Sequence, residues 1–507
     1  MRGRRIDTGS TPRVAILGAG AGGLCMAIAL RRAGIDSFVI FEKSDGVGGT
    51  WRDNTYPGAC CDAKSHLYSY SFELWPEWSQ HFAAQPEILD YFEHCADAYG
   101  LRPHLRCNTE VTALTWEEES REWIVETRSG ERSRFDVVVS GLGQLNRPFV
   151  PDIEGLERFE GTTFHSARWN HDHDLTGRRV AVIGNAASGV QFIPQIAPKV
   201  AQLYVYQRSA NWILPRINPP YSERTKQLFR DVPGAMRLYR AFLYVSYESR
   251  FSMMRRDSRL GRMIEVLAKR YLESVVDDPE LREALTPDFP AGCKRLLISS
   301  DYYPALTREN VELVTSPIDH ITSEGIVTED GKLRPVDTII FGTGFDSTHF
   351  LAPLVVKGRD GRTLEDVWRE GAEAYLGIAV SGFPNLFMLY GPNTNLGHNS
   401  IIFMIECQVH YIMRLLDRMM RVGRSCVDVV PEVMAEYNRE LQQAMHETVW
   451  ESGCRSWYKN EYGKVTNNWP HTTLRYWLET RRPKPAAFEL RPFVRSAVEA
   501  AREPAHG

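Results

Sequence analysis

The sequence predicts an α/β protein in which two related units of parallel strands and helices are joined in one chain. An internal repeat carries this prediction, because the strand-like run at residues 13–18 returns at residues 179–184, 166 positions later. In each copy an apolar, β-branched run ends in glycine and is followed by small residues and a helical pattern. A second, weaker repeat relates residues 136–143 to residues 337–344 and predicts a returning strand in each unit.

The turn after the first strand carries the first functional signal. It places Gly18, Gly20 and Gly23 in the spacing G-x-G-x-x-G, between a predicted strand and a predicted helix. Glycines at these positions permit a tight turn and let backbone amides approach a pyrophosphate at the helix N-terminus. The sequence therefore predicts a Rossmann-like dinucleotide-binding domain in the first unit.

The turn of the second copy keeps two of the three glycines. Gly184 and Gly189 repeat the pattern, while Ala186 stands at the middle position. Since the middle glycine lets the backbone touch the pyrophosphate, we expect a looser or shifted grip on the second nucleotide.

The residue expected to read the ribose differs between the copies. Glu42 lies 19 residues after Gly23, and Arg208 lies 19 residues after Gly189. A carboxylate accepts hydrogen bonds from free ribose hydroxyls, whereas a guanidinium pairs with a 2′-phosphate. The first domain is therefore predicted to bind FAD or NAD and the second NADPH; solvated strand-end charges are the alternative interpretation.

The composition is that of a globular protein. Of 507 residues, 43% are hydrophobic and 24% charged, which excludes disordered, collagen-like and polytopic membrane proteins. The net charge of -4 and the lack of a strong basic patch predict no nucleic-acid partner. The apolar run at 14–30 contains four glycines, unlike a signal peptide or membrane span. Nine cysteines without a C-x-x-C pair predict reduced thiols and a cytoplasmic location.

Two further motifs resemble those of a known family. One is Gly48-Gly49-Thr50-Trp51, followed by Tyr56-Pro57-Gly58 and Asp62; the other is Phe159-x-Gly161-x-x-x-His165-x-x-x-Trp169-Asn170. Both resemble the signature motifs of Baeyer–Villiger monooxygenases, and the resemblance runs from residue 13 to roughly residue 410. Several stretches look most like the 4-hydroxyacetophenone monooxygenase branch. Asn170 stands where the linker motif usually has Pro or Asp.

This resemblance implies a reaction. FAD and NADPH would be the cofactors, and a small-molecule ketone and O2 the other reactants. In that family NADPH reduces FAD, and O2 combines with the reduced flavin at C4a to give an anionic peroxyflavin. The peroxide attacks the ketone carbonyl, and the adduct rearranges to an ester or lactone.

Such chemistry needs a fixed cation beside the peroxide and the developing oxyanion, and arginine keeps its proton under all conditions. The resemblance assigns Arg295 to this role, and it assigns Lys294 to the 2′-phosphate beside Arg208. It also places Asp62 near the flavin, where the carboxylate would hold Arg295. A helix N-cap in front of Ala63 is the alternative role for Asp62.

The remaining expected contacts follow the same resemblance. On the flavin side they are Gly49, Thr50, Trp51, Tyr68 and Val111, and on the nicotinamide side Gly184, Ser188, Gly189 and Ser209. The linker motif contributes Phe159, Gly161, His165 and Trp169, and His165 is expected to couple domain rotation to the cycle rather than to carry a proton.

Alternatives remain at the level of function. A flavin-containing N- or S-oxygenase of the same architecture is the main one, and a non-catalytic flavoprotein is another. A disulfide reductase would require a closely spaced cysteine pair, which is absent. His171 and His173 with their neighbouring aspartates suggest a metal, but a solvated linker is favoured, and no metal is predicted.

The predicted domain organisation is discontinuous. The ranges are 1–150 (FAD domain, first part), 151–220 (NADPH domain, first part), 221–290 (helical insertion), 291–375 (NADPH domain, second part) and 376–507 (FAD domain, second part, and C-terminal segment). Asp278-Pro279 is a predicted helix start. We expect a solvated face on the insertion, with no stable membrane insertion, and loose tails at both termini. The four C-terminal tryptophans from Trp450 to Trp477 are expected in a core, or partly along a substrate cavity.

Overall fold

A computed structural model describes residues 11–422, 425–454 and 456–492. The predicted N-terminal tail, residues 1–13, lies outside the described residues except for its last three positions. The predicted C-terminal tail, the last dozen residues, lies wholly outside them.

The strands, numbered in chain order, are β1 Val14–Leu17, β2 Phe38–Phe41, β3 Leu105–Arg106, β4 Val111–Glu117, β5 Glu122–Thr127, β6 Arg132–Phe135, β7 Val137–Ser140, β8 Thr162–His165, β9 Arg179–Ile183, β10 Gln202–Tyr206, β11 Ile213–Leu214, β12 Leu297–Ile298, β13 Val311–Val314, β14 Ile318–Ile321, β15 Gly325–Thr328, β16 Leu333–Pro335, β17 Thr338–Phe341, β18 Val355–Lys357, β19 Leu386–Met388, β20 Ser425–Val429 and β21 Phe488–Pro492.

The α-helices are α1 Ala21–Arg32, α2 Thr50–Asp53, α3 Gln85–Ala98, α4 Ala187–Ile196, α5 Glu223–Asp231, α6 Ala235–Glu248, α7 Arg259–Val275, α8 Pro279–Ala284, α9 Tyr302–Leu306, α10 Leu364–Val367, α11 Ile401–Arg421, α12 Pro431–Met445 and α13 Thr473–Thr480. Short 3-10 helices cover Arg102–His104, Leu156–Arg158, Ser166–Arg168, Ser249–Met254, Arg359–Gly361, Val449–Glu451 and Pro485–Ala487.

Two five-stranded parallel sheets form the framework. The first has the order β19-β7-β1-β2-β3 and the second the order β13-β10-β9-β17-β8. The long repeat supplies β1–β2 and β9–β10, and the weaker repeat supplies β7 and β17, so the three-strand arrangement β7-β1-β2 recurs as β17-β9-β10. Each sheet has its own apolar core, built from the buried faces of these strands and of α1 or α4. The predicted α/β fold with two Rossmann-like domains matches this framework.

The stretch predicted to be a helical insertion contains α5, α6, α7 and α8. The Asp278 side chain caps α8 by accepting a hydrogen bond from the Glu280 amide at 2.9 Å, as its sequence predicts. The outer face of α6 is exposed and contains apolar side chains. Leu238, Phe242 and Val245 recur on one side of that helix and are 65–75% exposed.

A third core joins the 3-10 segment Ser249–Met254 to the C-terminal region. Trp450 and Trp469 are buried in it, whereas Trp477 is 38% exposed. Trp457 packs against this core and also lines the large cavity described below. Two of the four tryptophans are therefore in a core and Trp457 is at the cavity, whereas Trp477 is in neither place.

A disulfide between Cys293 and Cys454 corrects the expectation that the thiols are all reduced. The two residues are 161 positions apart, so their pairing depends on the tertiary fold and leaves no spacing signal in the sequence. The bond connects the residue preceding Lys294 to the C-terminal segment.

The described residues contain neither a helix suited to cross a membrane nor a cluster of metal ligands. None of their helices combines the length and the apolar character needed to cross a bilayer. None of their His, Cys, Asp and Glu side chains form a group of three or more placed to hold a metal. His171 and His173 point to different partners, since their Nε2 atoms lie 2.8 Å from the hydroxyls of Thr55 and Thr338, respectively.

Candidate active site

The first glycine turn connects β1 to α1 with almost no space for side chains. The Gly18 amide donates to the Phe41 carbonyl at 2.7 Å, and Gly18 has φ +92°, a left-handed conformation that favours glycine. A Cβ on Gly23 would lie 1.8 Å from the Gly18 carbonyl oxygen. The turn therefore brings the start of α1 close to the strand end and leaves the first amides of the helix free for a phosphate.

Glu42 follows β2 and faces this turn. Its carboxylate accepts hydrogen bonds from the Ala19 amide at 2.7 Å and the Ser44 amide at 2.8 Å, and the residue is 5% exposed. Because a carboxylate has more lone pairs than these two bonds occupy, it can also accept from a ribose. The predicted ribose reader thus also ties β2 to the glycine turn.

The second turn repeats this construction between β9 and α4. The Gly184 amide donates to the Tyr206 carbonyl at 3.1 Å, with φ +104° at Gly184. A Cβ on Gly189 would lie 2.8 Å from the Gly184 carbonyl oxygen. Ala186 is the N-cap of α4, as Gly20 is the N-cap of α1.

A group of cations lies beside the second turn. The Lys294 ammonium donates to the Ser209 hydroxyl at 2.6 Å and lies 4.4 Å from the centre of the Phe289 ring. Burial, and after it the Arg208 guanidinium, lower the pKa of Lys294. Two cations that repel each other around a hydroxyl form a site suited to a phosphate, which would reverse this repulsion.

Arg295 and Asp62 form a two-pronged ion pair. The Arg295 Nε lies 2.9 Å from one carboxylate oxygen of Asp62, and Nη2 lies 2.6 Å from both. The Asp62 charge raises the pKa of Arg295 further above its usual range. Of the two roles considered for Asp62 the structure has the ion pair, and none of the described helices begins at Ala63.

A single cavity of about 2060 Å³ connects these features. Pockets for one small molecule commonly measure ~300–1,000 Å³, so this cavity has room for more than one large ligand. Of the predicted residues its wall contains Gly18, Gly20, Glu42, Gly49, Thr50, Trp51, Asp62, Tyr68, Val111, Gly184, Ser188, Arg208, Ser209, Lys294 and Arg295.

On the flavin side, close packing explains several of these residues. A Cβ on Gly49 would lie 2.9 Å from Gly20 Cα, so the two backbones meet here. The Trp51 indole N–H donates to the Tyr68 hydroxyl at 3.1 Å, and burial raises the pKa of Tyr68. Trp51 and Tyr68 thus present a neutral, aromatic wall to the cavity.

Six predicted residues lie outside the cavity wall. Gly23 and Gly189 pack inside their turns, and Phe159, Gly161, His165 and Trp169 lie around the second sheet.

The linker motif is explained by packing around the second sheet. A Cβ on Gly161 would lie 2.5 Å from the Phe159 ring and 2.6 Å from the Asp337 carbonyl oxygen. His165 ends β8, and its Nδ1 accepts a hydrogen bond from the Ala167 amide at 3.0 Å. Burial lowers the pKa of His165 to about 4, so it is neutral at neutral pH.

Sequence reasoning missed two tyrosines near the Arg295 guanidinium. Tyr458 is 1% exposed, and burial raises its pKa to about 12. Tyr390 lines the cavity, donates from its hydroxyl to Asn395 Oδ1 at 2.7 Å, and has φ +57°. Tyr390 directly precedes the stretch 391–400, which contains two glycines and several small polar residues, and that composition is a signal that could have pointed to it. Tyr458 has no comparable signal.

Comparisons with known proteins agree with this site. The family described as "FMO-like: Flavin-binding monooxygenase-like" matches residues 11–364. A Baeyer–Villiger monooxygenase of Pseudomonas aeruginosa is 45% identical over 480 residues, covering 94% of this chain and 91% of the relative.

Solved structures give the same result. A closed crystal structure of cyclohexanone monooxygenase has a TM-score of 0.86 at 29% identity and covers 96% of this chain and 100% of its own. A crystal structure of OTEMO complexed with FAD and NADP also has a TM-score of 0.86 at 29% identity, covering 95% and 100%.

The two dinucleotide folds and the shared cavity define a flavoprotein monooxygenase. The chain belongs to the flavin-binding monooxygenase-like family and, within it, to the Baeyer–Villiger monooxygenases. The predicted fold class and enzyme class are thereby confirmed. Its place in the 4-hydroxyacetophenone monooxygenase branch, the domain boundaries and the roles of single residues stay predictions.

Proposed function

We propose that this protein is an FAD- and NADPH-dependent monooxygenase that inserts one oxygen atom of O2 beside the carbonyl of a ketone. A ketone, O2, NADPH and a proton give an ester or lactone, water and NADP⁺. Bound FAD supplies the redox chemistry, taking two electrons from NADPH and activating O2. The positions of the two turns and their opposite ribose readers support FAD on Glu42 and NADPH on Arg208, Ser209 and Lys294.

One observation carries the proposal: a guanidinium held in the wall of the cavity that reaches both glycine turns. The two-pronged bond to Asp62 restricts the plane of Arg295, and the raised pKa keeps it charged at any working pH. A fixed cation of this kind stabilises negative charge that develops on the reacting oxygens and costs no reorganisation during the reaction. Burial raises the pKa of Tyr390 and Tyr458, so these neighbours stay neutral and add no second negative charge beside Arg295.

The test separates reduction from oxygen insertion. Arg295→Ala is expected to keep stopped-flow reduction of the flavin by NADPH while ester formation from a ketone falls by about 10²-fold or more. Asp62→Asn is the partner variant: it keeps the shape but weakens the positioning of Arg295, so we expect a smaller loss. Full ester yield from Arg295→Ala would refute the assignment. An N- or S-oxide from an amine or sulfide, with no ester from any ketone, would instead favour the oxygenase alternative.

A further inference from the structure

The cavity wall holds a second pair of cations besides the group assigned to NADPH. Lys64 and Arg250 both line the cavity, and in the described part of the chain neither has a carboxylate partner. The two cations repel each other. Burial, and after it the Arg250 guanidinium, lower the pKa of Lys64. Lys64 is half-buried and Arg250 is exposed on the cavity wall, so both cations are available to a ligand.

The fold holds these two cations together through Tyr247. Helix α6 buries Leu243 and Tyr247 against Leu67, in the turn that follows Lys64. The Tyr247 hydroxyl accepts a hydrogen bond from the Lys64 amide at 3.2 Å. The guanidinium of Arg250, one turn further along, stacks 3.9 Å from the centre of the Tyr247 ring. One buried tyrosine therefore fixes the backbone of the first cation and the head group of the second.

This pair is separate from the residues around Lys294 that are proposed to bind the 2′-phosphate. Lys294 bonds to Ser209 and is affected by the charges of Arg208 and Asp288, whereas Lys64 and Arg250 meet at Tyr247. The pair is nevertheless close in sequence to the proposed reaction centre, since Lys64 lies two residues after Asp62.

We infer that Lys64 and Arg250 form an anion subsite that binds the carboxylate of a keto-acid substrate while the ketone carbonyl lies at Arg295. This inference rests on the proposed ketone oxidation and extends it to a substrate class. A guanidinium offers a planar pair of donors to a carboxylate and an ammonium adds a point charge, so the two together favour a carboxylate over a neutral group.

The experiment compares pairs of substrates that differ only in charge. Methyl-ketone acids of increasing chain length are assayed beside their primary amides, which match the carboxylates in shape, with the FAD-bound enzyme and NADPH. At the best chain length the acid is expected to exceed its amide in kcat/KM by about 10-fold to 100-fold, mainly through KM. Equilibrium binding of each acid and amide to the NADP⁺-bound enzyme, by calorimetry, measures the same preference without turnover.

Lys64→Met and Arg250→Met are expected to lower the ratio of acid to amide by about 10-fold each, in both measurements. Arg439→Gln removes an exposed cation on α12 that pairs with Glu436 and should leave the ratio unchanged. A ratio near one for wild type at every chain length overturns the subsite, as does a ratio that survives in the double variant.

Failure of the proposed function gives a different pattern. If neither acid nor amide gives an ester, the ketone oxidation is wrong. The calorimetric ratio still decides the subsite in that case. A preference for the acid that is lost in both variants supports it, and equal affinities overturn it.

Discussion

The two glycine turns have the same backbone conformation and hydrogen bonding at their first glycine, and they differ in how much space the protein leaves for a side chain at their last glycine. Gly18 and Gly184 both adopt left-handed conformations, and each donates to the strand alongside. The space left for a side chain differs, since a Cβ on Gly23 would lie 1.8 Å from a carbonyl oxygen and one on Gly189 2.8 Å from its counterpart. The first turn is therefore closed more tightly than the second.

The two residues proposed to read the ribose differ in the same direction. Glu42 is buried and bonded to two backbone amides, whereas Arg208 is exposed on the cavity wall. The acidic reader is thus part of the fold as well as of the site, and the basic reader is available to its ligand alone. Loss of Glu42 should therefore damage the fold as well as flavin binding, whereas loss of Arg208 should damage coenzyme binding alone.

The strongest test of this contrast is alanine at the last glycine of each turn. Gly23→Ala forces a methyl group into the Gly18 carbonyl, and we expect more than about 3 kcal/mol of destabilisation and protein without flavin. Gly189→Ala should cost about 1–3 kcal/mol and keep its flavin. Thermal unfolding and flavin content per chain measure both. Equal losses in the two variants would contradict the contrast.

Reversing the charge of the first reader comes next. Glu42→Arg removes both acceptors from the Ala19 and Ser44 amides and places a cation at the ribose, so the protein should purify largely without FAD. Glu42→Gln keeps one oxygen acceptor and should retain a substantial part of the flavin. Visible absorbance of the purified proteins measures occupancy. Normal occupancy in Glu42→Arg would show that this residue does not read the ribose.

The repeat was predictable from sequence because strand, turn and ribose reader are local to one another. The runs at 13–18 and 179–184 became β1 and β9, and both readers lie at strand ends on the cavity wall. The pairing of Asp62 with Arg295 spans 233 residues, and only the family resemblance brought the two together.

The features that could not be predicted from the sequence lie in segments without a periodic hydrophobic pattern. Tyr458 and the Cys293–Cys454 disulfide depend on how the C-terminal segment folds back over the chain, which no local pattern encodes. The proposed subsite at Lys64 was likewise not predictable, since it requires the C-terminal end of α6 to meet the turn after Asp62.

The second reader gives a smaller effect, confined to the coenzyme. Arg208→Ala should lower the ratio of kcat/KM for NADPH over NADH by about 10-fold to 100-fold, because one charged partner of the 2′-phosphate is lost and Lys294 remains. Flavin content and thermal stability should not change, in contrast to Glu42→Arg. Arg439→Ala controls for the loss of a surface cation. An unchanged coenzyme ratio would count against the phosphate assignment.

The smallest effect should come from exchanging the middle residues of the turns. Gly20 and Ala186 have nearly the same conformation, φ -78° and ψ -171° against φ -77° and ψ -161°, and a Cβ on Gly20 meets its nearest neighbour at 3.6 Å. The protein therefore does not require glycine there, and any effect of Gly20→Ala reports how closely the FAD pyrophosphate approaches. We expect unchanged apoprotein stability and FAD affinity weakened about threefold to tenfold, while Ala186→Gly tightens NADPH by about threefold. If Gly20→Ala instead lowered the unfolding temperature of the apoprotein, the protein rather than the cofactor would set that position.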